Sequence, residues 1–182
     1  MFNEYKSRRL DGWNYGRYGY YFVTIKVRRG SFDLGRIIEG EMKLNQYGEW
    51  VKKCWVELER HFEIVEIDEF NVLPDHVHGI LFIKNLDDVI GTGNVNVGAR
   101  HTLHLHLPVV INNHNYEKLP VIIGSFKSAA SKLIHQSGWL NFKWQRSYHD
   151  HIIRDEKSLE RIRHYIRYNA VKHGSVGCER RS

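Results

Sequence analysis

The run Pro74-Asp75-His76-Val77-His78-Gly79-Ile80-Leu81-Phe82-Ile83 constrains this chain more than any other stretch. Its apolar residues behind a proline turn read as a strand, and a strand sends alternate side chains to opposite faces. His76 and His78 therefore point the same way, and two imidazoles one strand step apart can grip one metal ion. Burying two such rings with no shared partner is costly. The chain carries 12 histidines, so the doublet alone leaves open a hydrogen-bonded pair or a place at a sheet edge. Such a doublet is a weaker signal than the longer metalloprotease signature.

A second constraint lies near the other end of the sequence. Leu159, Ile162 and Ile166 recur at helical spacing, Asp155 is placed to cap the start, and Gly174 stands just past the expected stop. On a helical wheel these three apolar residues centre one face, and Tyr165 and Asn169, four residues apart, lie along one edge of it. Tyr168 falls on the far side and should face water. Tyr165 is the better-placed tyrosine for a site on the body of the protein.

These stretches resemble a known family. His76-Val77-His78 in a hydrophobic strand resembles the histidine, hydrophobic, histidine motif of the HUH nucleases. Tyr165-Ile166-Arg167-Tyr168-Asn169-Ala170-Val171-Lys172 resembles the catalytic helix of the single-tyrosine HUH transposases, most closely the REP-associated tyrosine transposase group. Gly19-Tyr20-Tyr21-Phe22-Val23-Thr24-Ile25 is similar to the first strand of that family, and Gly124-Ser125-Phe126-Lys127-Ser128-Ala129 to its middle helix. Trp144 to Arg154 is similar to the stretch that leads into the tyrosine helix. The likeness covers most of residues 15 to 174, with the motifs in order. One departure is Ala170, where the family usually has proline; alanine permits helix and should lengthen or loosen the helix end without removing a ligand.

The resemblance implies an α+β fold, a ferredoxin-like (RRM-like) antiparallel sheet with helices on one face and a C-terminal catalytic helix. It also implies metal-dependent cleavage and rejoining of single-stranded DNA next to hairpins. Tyr165 would be the nucleophile, His76, His78 and Asn169 the ligands, and Mg²⁺ or Mn²⁺ the ion. An amide oxygen with two imidazoles leaves open positions for water and phosphate, and the nitrogen ligands tilt preference towards Mn²⁺. A phenol has a pKa of about 10, so it needs a neighbour to take its proton or a strongly polarised phosphate. Arg154, Arg161 and Arg167 are candidates for contact with the DNA backbone, since arginine forms two bonds to a phosphate, although each also suits a solvated helix face. Whether two subunits share their sites in a homodimer or one works alone is left open.

Composition agrees with these expectations without compelling them. With 182 residues, 42% hydrophobic and 13% aromatic, the chain can bury one sizeable core, and we expect a single domain over residues 1–182. Lys and Arg total 27 against 21 acids, a net charge of +6 that suits a polyanion. Only Cys54 and Cys178 are present, so there is no disulfide framework and no thiolate zinc site. No run reaches the roughly 18 apolar residues of a membrane span, and the first residues lack a signal-peptide core, so a cytoplasmic protein without membrane contact is expected.

Along the chain we expect a strand over 20–28, a hairpin over 33–44 around Glu39-Gly40, and a helix from Gln46 to Arg60. Phe62 to Val72 and the histidine strand should form an antiparallel pair at the centre of the sheet. A helix over 120–136, a strand over 148–153 and the tyrosine helix over 156–171 complete the order. Residues from about 85 to 119 read as a flexible insertion, in which His101, His104 and His106 sit among turn-forming residues rather than in a metal cluster. Trp13, Tyr15, Tyr18 and Tyr20 suit base stacking or core packing.

Two other readings stay in view. A non-catalytic nucleic-acid-binding module predicts salt-sensitive binding with no covalent product. A metal phosphoesterase that uses water predicts free cleaved ends and activity without Tyr165.

Overall fold

The structure is a computed structural model that describes residues 18–28, 33–85 and 118–175. In chain order the elements are β1 (Gly19–Lys26), β2 (Gly35–Ile38), β3 (Glu41–Leu44), α1 (Gln46–Val56), α2 (Leu58–His61), β4 (Val65–Val72), β5 (His76–Ile83), α3 (Lys118–Gln136), β6 (His149–Ile153) and α4 (Glu156–Ser175). Four strands form one antiparallel sheet in the order β4-β5-β1-β6, and β2 and β3 form a separate two-stranded sheet. This is the expected ferredoxin-like arrangement, α+β, with α1 and α3 against one face.

Local chemistry accounts for most of the elements. β1 is built from aromatic and β-branched residues, which suit a pleated, half-buried surface. Asn45 caps α1, its side chain accepting from the backbone N–H of Tyr47 and Gly48 at 2.9 and 3.0 Å. The β2–β3 turn is the two-residue kind, with Glu39 and Gly40 both at positive φ, 52° and 78°.

Three expectations need correction. β4 is an edge strand, and the central pair is β5 with β1; pairing across 50 residues of chain is settled by packing rather than by neighbouring sequence. The expected helix from Gln46 to Arg60 divides at Glu57 into α1 and α2. α4 runs through Gly174 to Ser175 instead of stopping before it, as alanine at position 170 allows. Residues 86–117 of the expected insertion, with His101, His104 and His106, lie outside the described residues, as do Trp13 and Tyr15, while Lys118 and Leu119 already belong to α3. Among the described residues no helix is long and apolar enough to cross a membrane.

The pleat divides the strands between two apolar clusters. Tyr21, Val23 and Ile25 of β1 and Val77, Leu81 and Ile83 of β5 pack with Val51, Trp55, Ile122 and Phe126 of α1 and α3. On the opposite face Ile80 and Ile153 pack with Leu159 and Ile166 of α4, flanked by Tyr20, Phe22 and Ile162. The histidine strand is thus covered on both sides, which its near-continuous apolar character requires.

Gly79 sits on the face of the first cluster, opposite Trp55, for a steric reason. A Cβ there would stand 2.2 Å from Trp55 Cζ2, a ring held fast in the core. Gly79→Ala is expected to destabilise the fold by about 1–3 kcal/mol, the usual cost of overpacking. Urea unfolding measures it, and an unchanged midpoint would contradict this packing.

Candidate active site

Strand parity puts His76, His78 and Ile80 on the sheet face that α4 crosses. The register sets Thr24 of β1 on one side of His78 and Asn71 of β4 on the other. Both imidazoles are buried, as is Thr24. The expected shared direction of the two rings is present, and their Nε2 atoms stand 3.0 Å apart.

Each ring is held from behind through Nδ1. His76 Nδ1 bonds Asp75 Oδ1 at 2.5 Å, and this contact holds the Asp75 carboxyl below the usual carboxylate range. A carboxylate only accepts, so His76 Nδ1 donates, and in the neutral ring Nε2 then offers a lone pair. His78 Nδ1 lies 2.9 Å from the Thr24 hydroxyl, which can donate or accept. When His78 donates from Nδ1 to Thr24, both Nε2 lone pairs face one point, and a cation there removes their repulsion. Two metal–nitrogen bonds of about 2.1 Å at a right angle place the nitrogens about 3.0 Å apart, so the pair suits adjacent ligands of an octahedral ion.

α4 brings the aromatic hydroxyl. Tyr165 Oη is 3.3 Å from His78 Nε2, and the Tyr165 ring stands edge-on to Phe22. Phe22 in turn stacks on His78, with ring centroids 5.4 Å apart. Tyr168 instead lies against His164, its ring half exposed. The side of the helix assigned to each tyrosine from the wheel agrees with this geometry.

Asn169, one turn beyond Tyr165, is buried, and its Nδ2 has no hydrogen-bond partner among the described residues. An unpaired amide atom of this kind costs about 1–3 kcal/mol. Amide oxygen and nitrogen exchange by a half-turn of the side chain, so an oxygen can occupy the unpaired position and meet a cation. Among the described residues no group of three or more His, Cys, Asp or Glu could hold a metal.

The three arginines singled out from sequence have different surroundings. Arg154 is exposed beside β6. Arg161 is exposed and donates to Ser158 Oγ at 2.8 Å, within its own helix. Arg167 donates from Nε to Glu69 Oε2 at 2.6 Å, and its side chain is about half exposed.

Sequence reasoning missed a fourth arginine. Arg163 grips Asp68 through two parallel bonds of 2.8 and 2.6 Å, both side chains largely covered, while Asn71 donates to the Ile166 carbonyl at 3.2 Å. Asp68 and Glu69 occupy the irregular step of β4 between Ile67 and Phe70. Arg163 and Arg167 thus fasten α4 to this bulge on either side of Tyr165. Nothing in the local sequence pairs residues 95 positions apart. Arg163→Ala is expected to lower stability by about 1–3 kcal/mol, because it leaves the Asp68 charge half-buried and unpaired. A double-mutant cycle with Asp68→Ala checks it, and additive effects would deny the coupling.

Asp75 and Thr24 were missed too. The carboxylate directly before the first histidine was visible in the sequence, whereas the place of Thr24 depends on the register of β1 against β5.

Comparison with known proteins supplies family context. No protein-family model matches the chain. An "Uncharacterized protein" of Haemophilus influenzae is 36% identical over 166 residues, covering 91% of this chain and 88% of its own length. A second Haemophilus influenzae protein, named "Putative REP-associated tyrosine transposase", is 30% identical over 105 residues, which are 58% of this chain and 49% of that one. Among solved structures, a REP-associated tyrosine transposase bound to a REP hairpin superposes with a TM-score of 0.53 at 22% identity, covering 88% of this chain and 73% of that chain. That likeness establishes the shared fold.

Proposed function

Because the chain belongs to one family with the 36%-identical Haemophilus influenzae protein and is a relative of the REP-associated tyrosine transposases, we propose that it cuts and rejoins single-stranded DNA beside hairpins through a 5′-phosphotyrosine. The observation that carries this reading is the Tyr165 hydroxyl 3.3 Å from an imidazole nitrogen that itself faces a second at 3.0 Å.

In the proposed reaction the Tyr165 oxygen forms a bond to phosphorus as the bond to the 3′ oxygen breaks. The phenolic proton passes to water, the leaving 3′ oxygen takes one up, and the 5′ phosphate stays on tyrosine. Attack by a 3′-hydroxyl reverses these changes, so rejoining needs no nucleotide cofactor. His76, His78 and Asn169 would hold Mg²⁺ or Mn²⁺, which when bound neutralises charge on the phosphate oxygens. Phe22 and the clamp to β4 hold the tyrosine ring over the site, so little orientational freedom is lost at reaction.

Incubation with a labelled hairpin carrying single-stranded flanks and Mn²⁺ should give a denaturant-resistant protein–DNA adduct, absent when metal is chelated. Free cut ends without adduct would favour hydrolysis by water. Salt-sensitive binding with neither product would favour a non-catalytic binding module.

The groups behind the histidines carry their own prediction. Asp75→Asn and Thr24→Val are each expected to weaken Mn²⁺ binding about 10- to 100-fold by calorimetry, the usual loss when a ligand's outer hydrogen bond is removed. Thr24→Ser, which keeps the hydroxyl, should bind nearly as the parent does. Equal losses in both Thr24 variants would mean that packing, not the hydroxyl, is what matters.

A further inference from the structure

Thr24 pairs with His78 on one side and with His149 of β6 on the other, and Phe22 pairs with Ile80 and with His151. His149 and His151 therefore form a second pair one strand step apart, on the same sheet face as His76 and His78. They stand two strand spacings away from those rings, roughly 10 Å. Both are exposed.

α4 leaves this strip open. Its Leu159 packs by Ile153 at the end of β6, and its Ile166 lies by Ile80, with its carbonyl held by Asn71 of β4. The helix thus crosses from the end of β6 towards β4, away from the His149 end of the edge strand. Between the two histidine pairs lies Phe22, a ring already stacked on His78. At the His76 end of β1 stands Lys26, exposed and opposite His76 in the register. The Asp75 carboxylate is bonded to His76, and Asp150 belongs to the other face of β6 by strand parity.

Resting on the function proposed above, we infer that this open strip is the track for the single-stranded DNA that flanks the cut site. His149, His151 and Lys26 take its phosphates, and Phe22 with the imidazoles presents ring faces to its bases. Hydrogen-bonding imidazoles, one ammonium group and an aromatic ring in one narrow row suit an unpaired strand, whose bases are free to stack. Phe22 joins the strip to both the His78 ring and the partly exposed Tyr165, so a strand lying on it brings its phosphate to the tyrosine hydroxyl.

The test measures binding apart from chemistry. Fluorescence anisotropy with chelator present compares a hairpin that has a single-stranded flank with the same hairpin lacking it, for the parent, for His149→Ala with His151→Ala, and for the paired glutamine changes at both positions. The alanine variant is expected to weaken binding of the flanked hairpin about 10-fold and leave the flankless one within about twofold. The glutamine variant, which keeps hydrogen-bonding ends on a surface strand, guards against misfolding and should also bind the flanked hairpin more weakly. Bromodeoxyuridine placed in the flank should photo-crosslink to β6 or to Phe22. Equal weakening of both DNAs, no weakening of either, or crosslinks confined to other elements would overturn the inference. Its failure is separable from failure of the proposed reaction, which is read from the parent protein's adduct with Mn²⁺.

Discussion

Tyr165→Phe is expected to form no covalent DNA product, a drop of more than about 10³-fold in adduct yield, because it removes only the atom that makes the bond in the proposed reaction. The ring that packs against Phe22 and His78 remains, and Tyr165 is 40% exposed, so stability should change by less than about 0.5 kcal/mol. Hairpin affinity should stay within about twofold. Tyr168→Phe is the matched control, since its ring lies against His164 away from the histidine pair, and it should give the parent's adduct. A denaturing gel reads both variants. Adduct from Tyr165→Phe, or its loss in Tyr168→Phe, would assign the nucleophile elsewhere.

His78→Ala should have the next largest effect. This one ring touches Thr24, faces His76, meets the Tyr165 hydroxyl and stacks on Phe22, so its loss removes a proposed donor to the cation and the tyrosine's partner together. Adduct formation is expected to fall by about 10²–10³-fold, with calorimetric Mn²⁺ binding lost in parallel. His76→Ala should also abolish Mn²⁺ binding but leave the Thr24–His78–Tyr165 contacts in place. Melting temperature separates the two roles, because a structural role alone would lower stability without a selective loss of metal binding. If His78→Ala bound Mn²⁺ as the parent does, the imidazole pair would not be the metal site.

The clamp on β4 adds a condition to both results. Arg163 and Arg167 flank Tyr165 along the helix and reach two consecutive acids on the strand, so the helix is fastened on both sides of the tyrosine. Exposed charge on α4 therefore divides into residues that position the helix and residues, such as Arg161, that remain available to a phosphate.

Much of this was legible in residue order, because it depends on neighbours. The period of two through His76 and His78, the period near four through Leu159, Ile162 and Ile166, and the cap chemistry at Asp155, whose carboxylate accepts from the Ser158 N–H, are local patterns, and each of these elements appears where its pattern lies. The side of α4 that carries Tyr165 followed from the angle between successive residues. What neighbours cannot specify is which strand lies beside which. β4 stands at the edge, Thr24 backs His78, His149 shares its face, and Arg163 finds Asp68 only once distant segments pack. Those pairings are chosen by the burial of two apolar clusters on one twisted sheet, a sum over the whole chain that no short stretch contains.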